Sequence, residues 1–174
     1  IIFSHIPTQV DKLLRKWCCD NNINPDNYVF AKGMIYIKNE DLAIMAIGVE
    51  NYLQGLQQIN SYKWDYFSYV SDKSSTTPPN KIKEIFDLIS TSIPKIKLFE
   101  WDENMTSSLR NEKDYQARQS FIRSHLHIKN SGVSLERKNI IVLDDQLTTG
   151  ATAFEIRKKL EEQNVGNILI VTLF

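Results

Sequence analysis

Two adjacent carboxylates and a short, hydroxyl-rich turn follow one another late in the chain. Asp144 and Asp145 come directly after the apolar run Ile140 to Leu143, and the turn at residues 148–152 reads T-T-G-A-T. A helical pattern starts at the end of this turn. Free backbone N–H groups at a helix start can bind a phosphate, and carboxylates can accept hydrogen bonds from sugar hydroxyls. The order of these groups predicts a site for a sugar phosphate.

Each part of this motif has a separate predicted role. The candidate phosphate-binding residues are Thr148, Thr149, Gly150, Ala151 and Thr152. The helix dipole favours an anion there, and a glycine lets the backbone approach it closely. Asp144 and Asp145 would repel a phosphate beside them, so we expect them to serve ribose hydroxyls or a metal shell. Neighbouring strand residues point to opposite faces, so both acids reach one ligand only if the strand ends there.

Simpler interpretations of the same residues stay open. The two acids also fit a solvated strand end or an acidic pair at a helix start. The threonines also fit ordinary N-capping of the helix, which is compatible with phosphate binding.

The elements that must position these groups alternate between strand and helix from Trp64 onward. Predicted strands cover residues 64–70, 95–100, 140–143 and 167–174, and predicted helices cover residues 81–90, 115–126 and 151–163. This alternation predicts an α/β fold with a doubly wound, mostly parallel sheet. Ligands of such sheets bind outside the carboxyl ends of the strands, where the two acids lie. We assign this core to residues 61–174.

Residues 1–60 differ in texture and predict a small N-terminal α+β appendage or hood-like region. A helical pattern covers residues 10–17, and two apolar pieces at 28–30 and 34–37 indicate a hairpin. Residues 42–49 are apolar and fit either a strand or a helix, and residues 50–60 fit a helix. Nothing in this region indicates chemistry.

The composition of the chain argues against several classes of protein. The chain has 174 residues with zero formal net charge, which gives no general attraction to nucleic acid. No apolar run approaches the length of a membrane span, and the first residues do not have the shape of a signal peptide. Cys18 and Cys19 are adjacent with no second pair for a zinc site, so we interpret them as reduced residues of a cytoplasmic protein. We also expect the sequence to be a piece of a longer protein.

The stretch I-V-L-D-D-Q-L-T-T-G-A-T resembles the phosphoribosyl pyrophosphate (PRPP) signature of the type I phosphoribosyltransferases. Gln146 stands where that family usually has an aliphatic residue. The resemblance implies that Asp144 and Asp145 bind the ribose hydroxyls and that residues 148–152 bind the 5-phosphate.

An upstream segment narrows the resemblance. Leu109, Arg110, Lys113, Gln116 and Arg123 give the order L-R-x-x-K-x-x-Q…R, which resembles the ComF-like, amidophosphoribosyltransferase-related branch. The cysteine-rich zinc module typical of many members of that branch is absent here. Together the two resemblances cover about residues 109–174.

The resemblance implies a reaction and further site residues. A nitrogen nucleophile would displace pyrophosphate from C1 of PRPP, with Mg²⁺ bound mainly through PRPP itself. Arg110 is a candidate catalytic residue, and Lys73 and Ser74 are candidates in the polar loop 71–80, where the family keeps its pyrophosphate loop. Residues 110–138 contain seven Lys or Arg and three Asp or Glu, a local charge of +4, which could screen the leaving pyrophosphate.

Two other functions remain as alternatives. One is a PRPP-binding or nucleotide-binding regulatory module without catalysis, which Gln146 favours. The other is a receiver-like or phosphohydrolase domain with the acids on Mg²⁺, but no early acid-bearing strand supports it. His5, His125 and His127 have no visible partner and receive no chemistry. A homodimer is one candidate assembly, and the acceptor stays unnamed.

Overall fold

The computed structural model of the chain describes residues 42–59, 63–71, 81–103, 114–129, 131–145, 147 and 149–173. Within them lie α1 (Leu42–Ile59), β1 (Tyr66–Tyr69), α2 (Ile82–Leu88), β2 (Phe99–Trp101), α3 (Tyr115–His125), β3 (Leu126–Ile128), β4 (Ile140–Asp144), α4 (Ala151–Glu161) and β5 (Ile168–Thr172). None of these helices is long and apolar enough to cross a membrane.

The main sheet has the strand order β1–β4–β5, and both pairings are parallel. Residues around Lys95 extend it beyond β1 through a parallel bridge to Phe67. All five residues of β4 are buried, because this central strand is covered on both faces. That position explains its uninterrupted apolar run. The predicted mostly parallel α/β fold is confirmed.

The side chains of β4 alternate between two apolar layers. Ile141 and Leu143 pack in the layer that contains the buried faces of α1 and α2. Ile140 and Val142 pack in the opposite layer with α3 and α4. Helices therefore cover both faces of the sheet, which is the doubly wound arrangement that the sequence predicts.

One predicted strand is divided in the structure. The sequence predicts a single strand over residues 95–100, but Lys95 pairs with β1 while Phe99–Trp101 pairs antiparallel with β3. β3 itself was not predicted. It follows α3 without a loop, and its Leu126 is buried while His127 faces out, so three residues carry too short an alternation to be recognised in the sequence.

The ambiguous apolar stretch 42–49 and residues 50–59 of the predicted helix 50–60 form one continuous helix, α1. Its Val49 and Leu53 are buried in the same apolar layer as the β4 residues Ile141 and Leu143. The predicted helix 10–17 and hairpin 28–37 lie outside the described residues. A boundary near residue 60 stays a prediction, and α1, although N-terminal to it, packs on the core.

Candidate functional site

The two acids lie at the carboxyl end of the central strand. Asp144 is the last residue of β4 and is 5% exposed, whereas Asp145 lies at the bend that follows and is half-buried. The backbone N–H of Asp145 donates to Oδ1 of Asp144 over 3.0 Å. The strand thus ends between them, which is the condition under which both carboxylates can serve one ligand.

A residue that the sequence did not single out stands beside them. Thr172 is the partner of Asp144 in the parallel register of β4 and β5, and it is 1% exposed. The N–H of the next residue, Leu173, donates to the backbone oxygen of Asp144 over 3.3 Å. β5 therefore fixes the backbone of Asp144 from one side. Only the strand register reveals this neighbour, because a threonine in an apolar strand carries no signal in the sequence.

The turn that follows begins helix α4. Gly150 is its N-cap residue with φ +79° and ψ 0°, in the left-handed region that side chains disfavour. A Cβ built at Gly150 would meet only Cδ1 of Leu147, at 4.0 Å. The backbone conformation, and not lack of space, therefore calls for glycine at this position.

Helix α4 presents its first N–H groups toward the turn. The first intrahelical bond runs from the N–H of Phe154 to the oxygen of Gly150, over 2.9 Å. The three preceding N–H groups have no acceptor within the helix, and the contact from the Ala151 N–H to Thr149 Oγ1 is a long one, at 3.4 Å. Since α4 runs for 11 residues, its dipole adds positive potential here. This end of α4 suits an anion.

Four predicted site residues lie outside the described residues: Lys73, Ser74, Arg110 and Thr148. Their roles stay predictions. The structure does place Asp144, Asp145, Thr149, Gly150, Ala151 and Thr152 in one strand–turn–helix unit.

Arg123, part of the basic segment before β4, makes an ion pair with Glu155 of α4. Its Nη2 lies 2.9 Å from Oε1 and its Nε lies 3.3 Å from Oε2. Burial raises the pKa of Glu155, but the hydrogen bonds and charge of Arg123, with a hydrogen bond from Gln119, outweigh this and leave the pKa below its ordinary value of 4.5. Glu155 is 1% exposed. Arg123 therefore holds α3 against α4, and its guanidinium is engaged there.

The structure also gives the two late histidines a shared partner. Asp102, directly after β2, lies 2.8 Å from Nδ1 of His125 and 2.8 Å from Nε2 of His127. Hydrogen bonds with His125 and then His127 hold the pKa of Asp102 below its ordinary value of 3.8. The expectation that the histidines have no partner was wrong. Spacing could not show the contact, since His125 ends a helix and His127 lies in the strand that follows.

A cavity of about 490 Å³ lies next to this cluster. It is lined by Ser71, Lys97, Glu100, Trp101, Asp102, Glu103 and His127. The Trp101 indole N–H donates to the backbone oxygen of Ser71 over 2.7 Å, and Val70 N–H donates to the oxygen of Leu143 over 2.9 Å. Ser71 follows β1 at the same sheet edge at which Asp144 ends β4. The cavity thus adjoins the carboxyl edge that carries the acids.

Within the described ranges, no three histidine, cysteine or acidic side chains are grouped so that they could hold a metal ion. The oxygen atoms of Asp144 and Asp145 are nevertheless the ligand type that Mg²⁺ prefers. These residues fit an ion that a bound ligand would share, and they do not form a cage of their own.

The sequence matches no protein-family profile and no curated protein sequence. Among solved structures, the chain is similar to a hypoxanthine phosphoribosyltransferase from Staphylococcus aureus, with 20% identity, TM-score 0.45, and coverage of 77% of this chain and 62% of that one. It is also similar to a hypoxanthine-guanine phosphoribosyltransferase from Bacillus anthracis, with 14% identity, TM-score 0.48, and coverage of 79% and 69%.

An adenine phosphoribosyltransferase from Saccharomyces cerevisiae is similar with 12% identity and TM-score 0.42, over 80% of this chain and 72% of that one. The chain spans less than two thirds of the length of the Staphylococcus aureus protein. The α/β assignment given above rests on the strand order of this chain itself, and a place in the ComF-like branch stays a prediction.

Proposed function

We propose that this chain is a phosphoribosyltransferase that binds PRPP at the carboxyl end of β4. It would transfer ribose 5-phosphate to, or from, a nitrogen nucleophile, with pyrophosphate as the second product. One observation carries the proposal: Asp144 ends a buried parallel strand, Asp145 follows it, and the next helix begins at the left-handed Gly150 with first N–H groups that have no acceptor within the helix.

The two halves of this unit suit the two ends of a sugar phosphate. A phosphate placed at the start of α4 receives N–H donors and the positive end of the helix dipole. The hydroxyl groups of Thr149 and Thr152 lie in the same turn and first helical residues. Carboxylates are acceptors, so Asp144 and Asp145 would take the ribose hydroxyls, which are donors.

In this reaction the protein would mainly orient the two substrates and stabilise the charge that develops in the transition state. The bond from C1 to the pyrophosphate oxygen breaks while the acceptor nitrogen bonds to C1, through a transition state with oxocarbenium character. Binding of the ribose at Asp144 and Asp145 would hold C1 in a fixed orientation toward the acceptor, so that less entropy is lost on reaching the transition state. Arg110, Lys73 and Ser74 are proposed to face the departing pyrophosphate, where cationic and hydroxyl donors offset its charge.

Mg²⁺ fits this arrangement as an ion bound mainly through PRPP oxygens. It would supply positive charge to the diphosphate and the ribose oxygens. Asp144 and Asp145 would contact its coordination shell through the sugar, and no dedicated protein cage is required.

A second candidate is a PRPP-binding or nucleotide-binding regulatory module that lacks catalysis. Gln146 favours it, since this polar residue replaces the aliphatic one usual in the signature, and the loop 71–80 has no close match to a family motif. We also propose four finer points. The chain would belong to the ComF-like branch, lie in the cytoplasm as Cys18 and Cys19 indicate, use a purine acceptor like those named for the similar structures, and form a homodimer.

Two measurements on the full chain separate these candidates. PRPP with Mg²⁺ should raise the melting temperature under both, and ribose 5-phosphate should do so more weakly. Only the transferase should release pyrophosphate when hypoxanthine, adenine or ammonium is added as acceptor. Absence of any PRPP-dependent shift in melting temperature would contradict both candidates, and a shift produced equally by Mg²⁺ and inorganic phosphate would favour a phosphohydrolase-like domain.

A further inference from the structure

Asp102 accepts hydrogen bonds from two imidazole rings, and this fixes where the rings keep their lone pairs. An ionised carboxylate is an acceptor only, so the ring nitrogens that face it carry hydrogen: Nδ1 of His125 and Nε2 of His127, each 2.8 Å away. In the neutral rings the basic lone pair is then on the opposite nitrogen. For His127 that nitrogen is Nδ1.

Of these two rings, His127 lines the cavity and His125 does not. The side chain of His127 is also the more exposed, at 48% against 35%. The ring of His125 lies instead against Phe121, with ring centroids 4.6 Å apart. A ligand in the cavity can therefore meet the lone pair of His127.

Charged groups of several elements line the cavity together with this ring. Asp102 and Glu103 follow β2, Glu100 is the cross-strand partner of His127 on β2, and Lys97 precedes β2. His125 ends α3. Three carboxylates and one lysine therefore line the cavity beside the imidazole, and Asp102 is in direct contact with its Nε2.

His125 and His127 are the two histidines among the described residues, and histidine is the side chain that ordinarily changes charge near neutral pH. The acids Asp144 and Asp145 are assigned to ribose in the proposed function. Among the described residues that line the cavity beside this edge, His127 is therefore the candidate neutral base.

We propose that His127 is the general base of the transferase reaction and that Asp102 is its positioning residue. This inference rests on the proposed function. The acceptor nitrogen gives its proton to Nδ1 of His127 as that nitrogen bonds to C1. The bond from C1 to the pyrophosphate oxygen breaks, and its electron pair leaves with pyrophosphate. The imidazolium so formed keeps its Nε2–H bond to Asp102 and later returns the proton to water.

The test compares His127→Gln with His125→Asn in the full chain. The glutamine amide can still donate to Asp102 from about the place of Nε2 but has no basic nitrogen, and the asparagine amide can do the same from the place of Nδ1. With PRPP, Mg²⁺ and hypoxanthine or adenine, His127→Gln should lower kcat by about 10²–10⁴-fold. It should leave the PRPP-induced rise in melting temperature intact and should abolish the acid limb of the pH–rate profile. His125→Asn should keep that limb and most of kcat.

A second measurement needs no acceptor. Diethyl pyrocarbonate modifies the free lone pair of neutral imidazoles, and peptide mapping gives the rate at each histidine. His127 should react faster than His125, and PRPP with Mg²⁺ should slow it selectively. Suppose that PRPP raises the melting temperature but does not protect His127, and that turnover is unchanged in His127→Gln. The base assignment is then overturned and the proposed function stands. If PRPP does not bind the wild-type chain, both are overturned.

Discussion

The carboxylate of Glu155 accepts hydrogen bonds from Nη2 and Nε of Arg123, at 2.9 Å and 3.3 Å. Arg123 lies on helix α3, 32 residues earlier in the chain. Glu155 lies on α4, four residues after Ala151, so this ion pair holds the helix whose first turn forms the proposed phosphate site. The pair is asymmetric, with a buried acid and a half-exposed base.

Replacing Arg123 should therefore destabilise the fold. In Arg123→Met the apolar stem stays while the buried carboxylate loses its charged partner, and we expect the free energy of unfolding to fall by clearly more than it does in the control variant. Urea unfolding measures it. Arg157→Met is the matched control, because Arg157 pairs with Glu161 on the exposed surface of the same helix, and it should cost less than about 0.5 kcal/mol. Equal losses would show that burial of Glu155 adds nothing.

The same pair predicts a pH dependence. The pKa of Glu155 lies below 4.5 in the folded chain, so its contribution is complete above the unfolded value and is lost as the pH falls through the lower folded value. The stability difference between wild type and Arg123→Met should therefore be largest above the ordinary glutamate value of 4.5 and should shrink as the pH falls below it. Unfolding free energies across this range check it. A constant difference would mean that Glu155 does not titrate as the ion pair requires.

The acids at the end of β4 give a direct test of ribose binding. Asp144→Asn with Asp145→Asn keeps the size of both side chains but removes the charge and turns part of each acceptor into a donor. We expect this double variant to lose the PRPP-dependent rise in melting temperature while its circular dichroism stays that of the wild type. Binding at the wild-type affinity would refute the assignment of these residues.

Gly150 gives a test of the phosphate end, with Gly132 as its control. Both have positive φ, +79° and +71°, and a Cβ would meet no atom closer than 4.0 Å at Gly150 and none within 4 Å at Gly132. Valine at either position should cost a similar amount of stability, about 1–2 kcal/mol, for the left-handed backbone. Only Gly150→Val should weaken binding of ribose 5-phosphate, measured by isothermal titration calorimetry. Equal binding by the two variants would place the phosphate elsewhere.

The local pattern of apolar residues was enough to predict the main strands and helices of the core. Four consecutive apolar residues before Asp144 predicted the buried strand, and the spacing of Ile82, Ile85 and Phe86 predicted α2. These signals are strong because burial on both faces, or on one helical stripe, leaves a periodic record in the chain. β3 left no such record, since three residues attached to a helix carry less than two periods of alternation.

Some parts of the candidate site could likewise be predicted from the sequence, and others could not. The sequence by itself determined the strand–acid–turn unit from Asp144 to Thr152, because these residues are consecutive and their chemistry is read from their order. Only the tertiary structure decided that Thr172 stands beside Asp144, that Arg123 is engaged by Glu155, and that Asp102 joins His125 to His127. These contacts cross 23 to 32 residues of chain. They depend on strand register and helix packing, which arise from the burial of many side chains together and are not encoded at any one position.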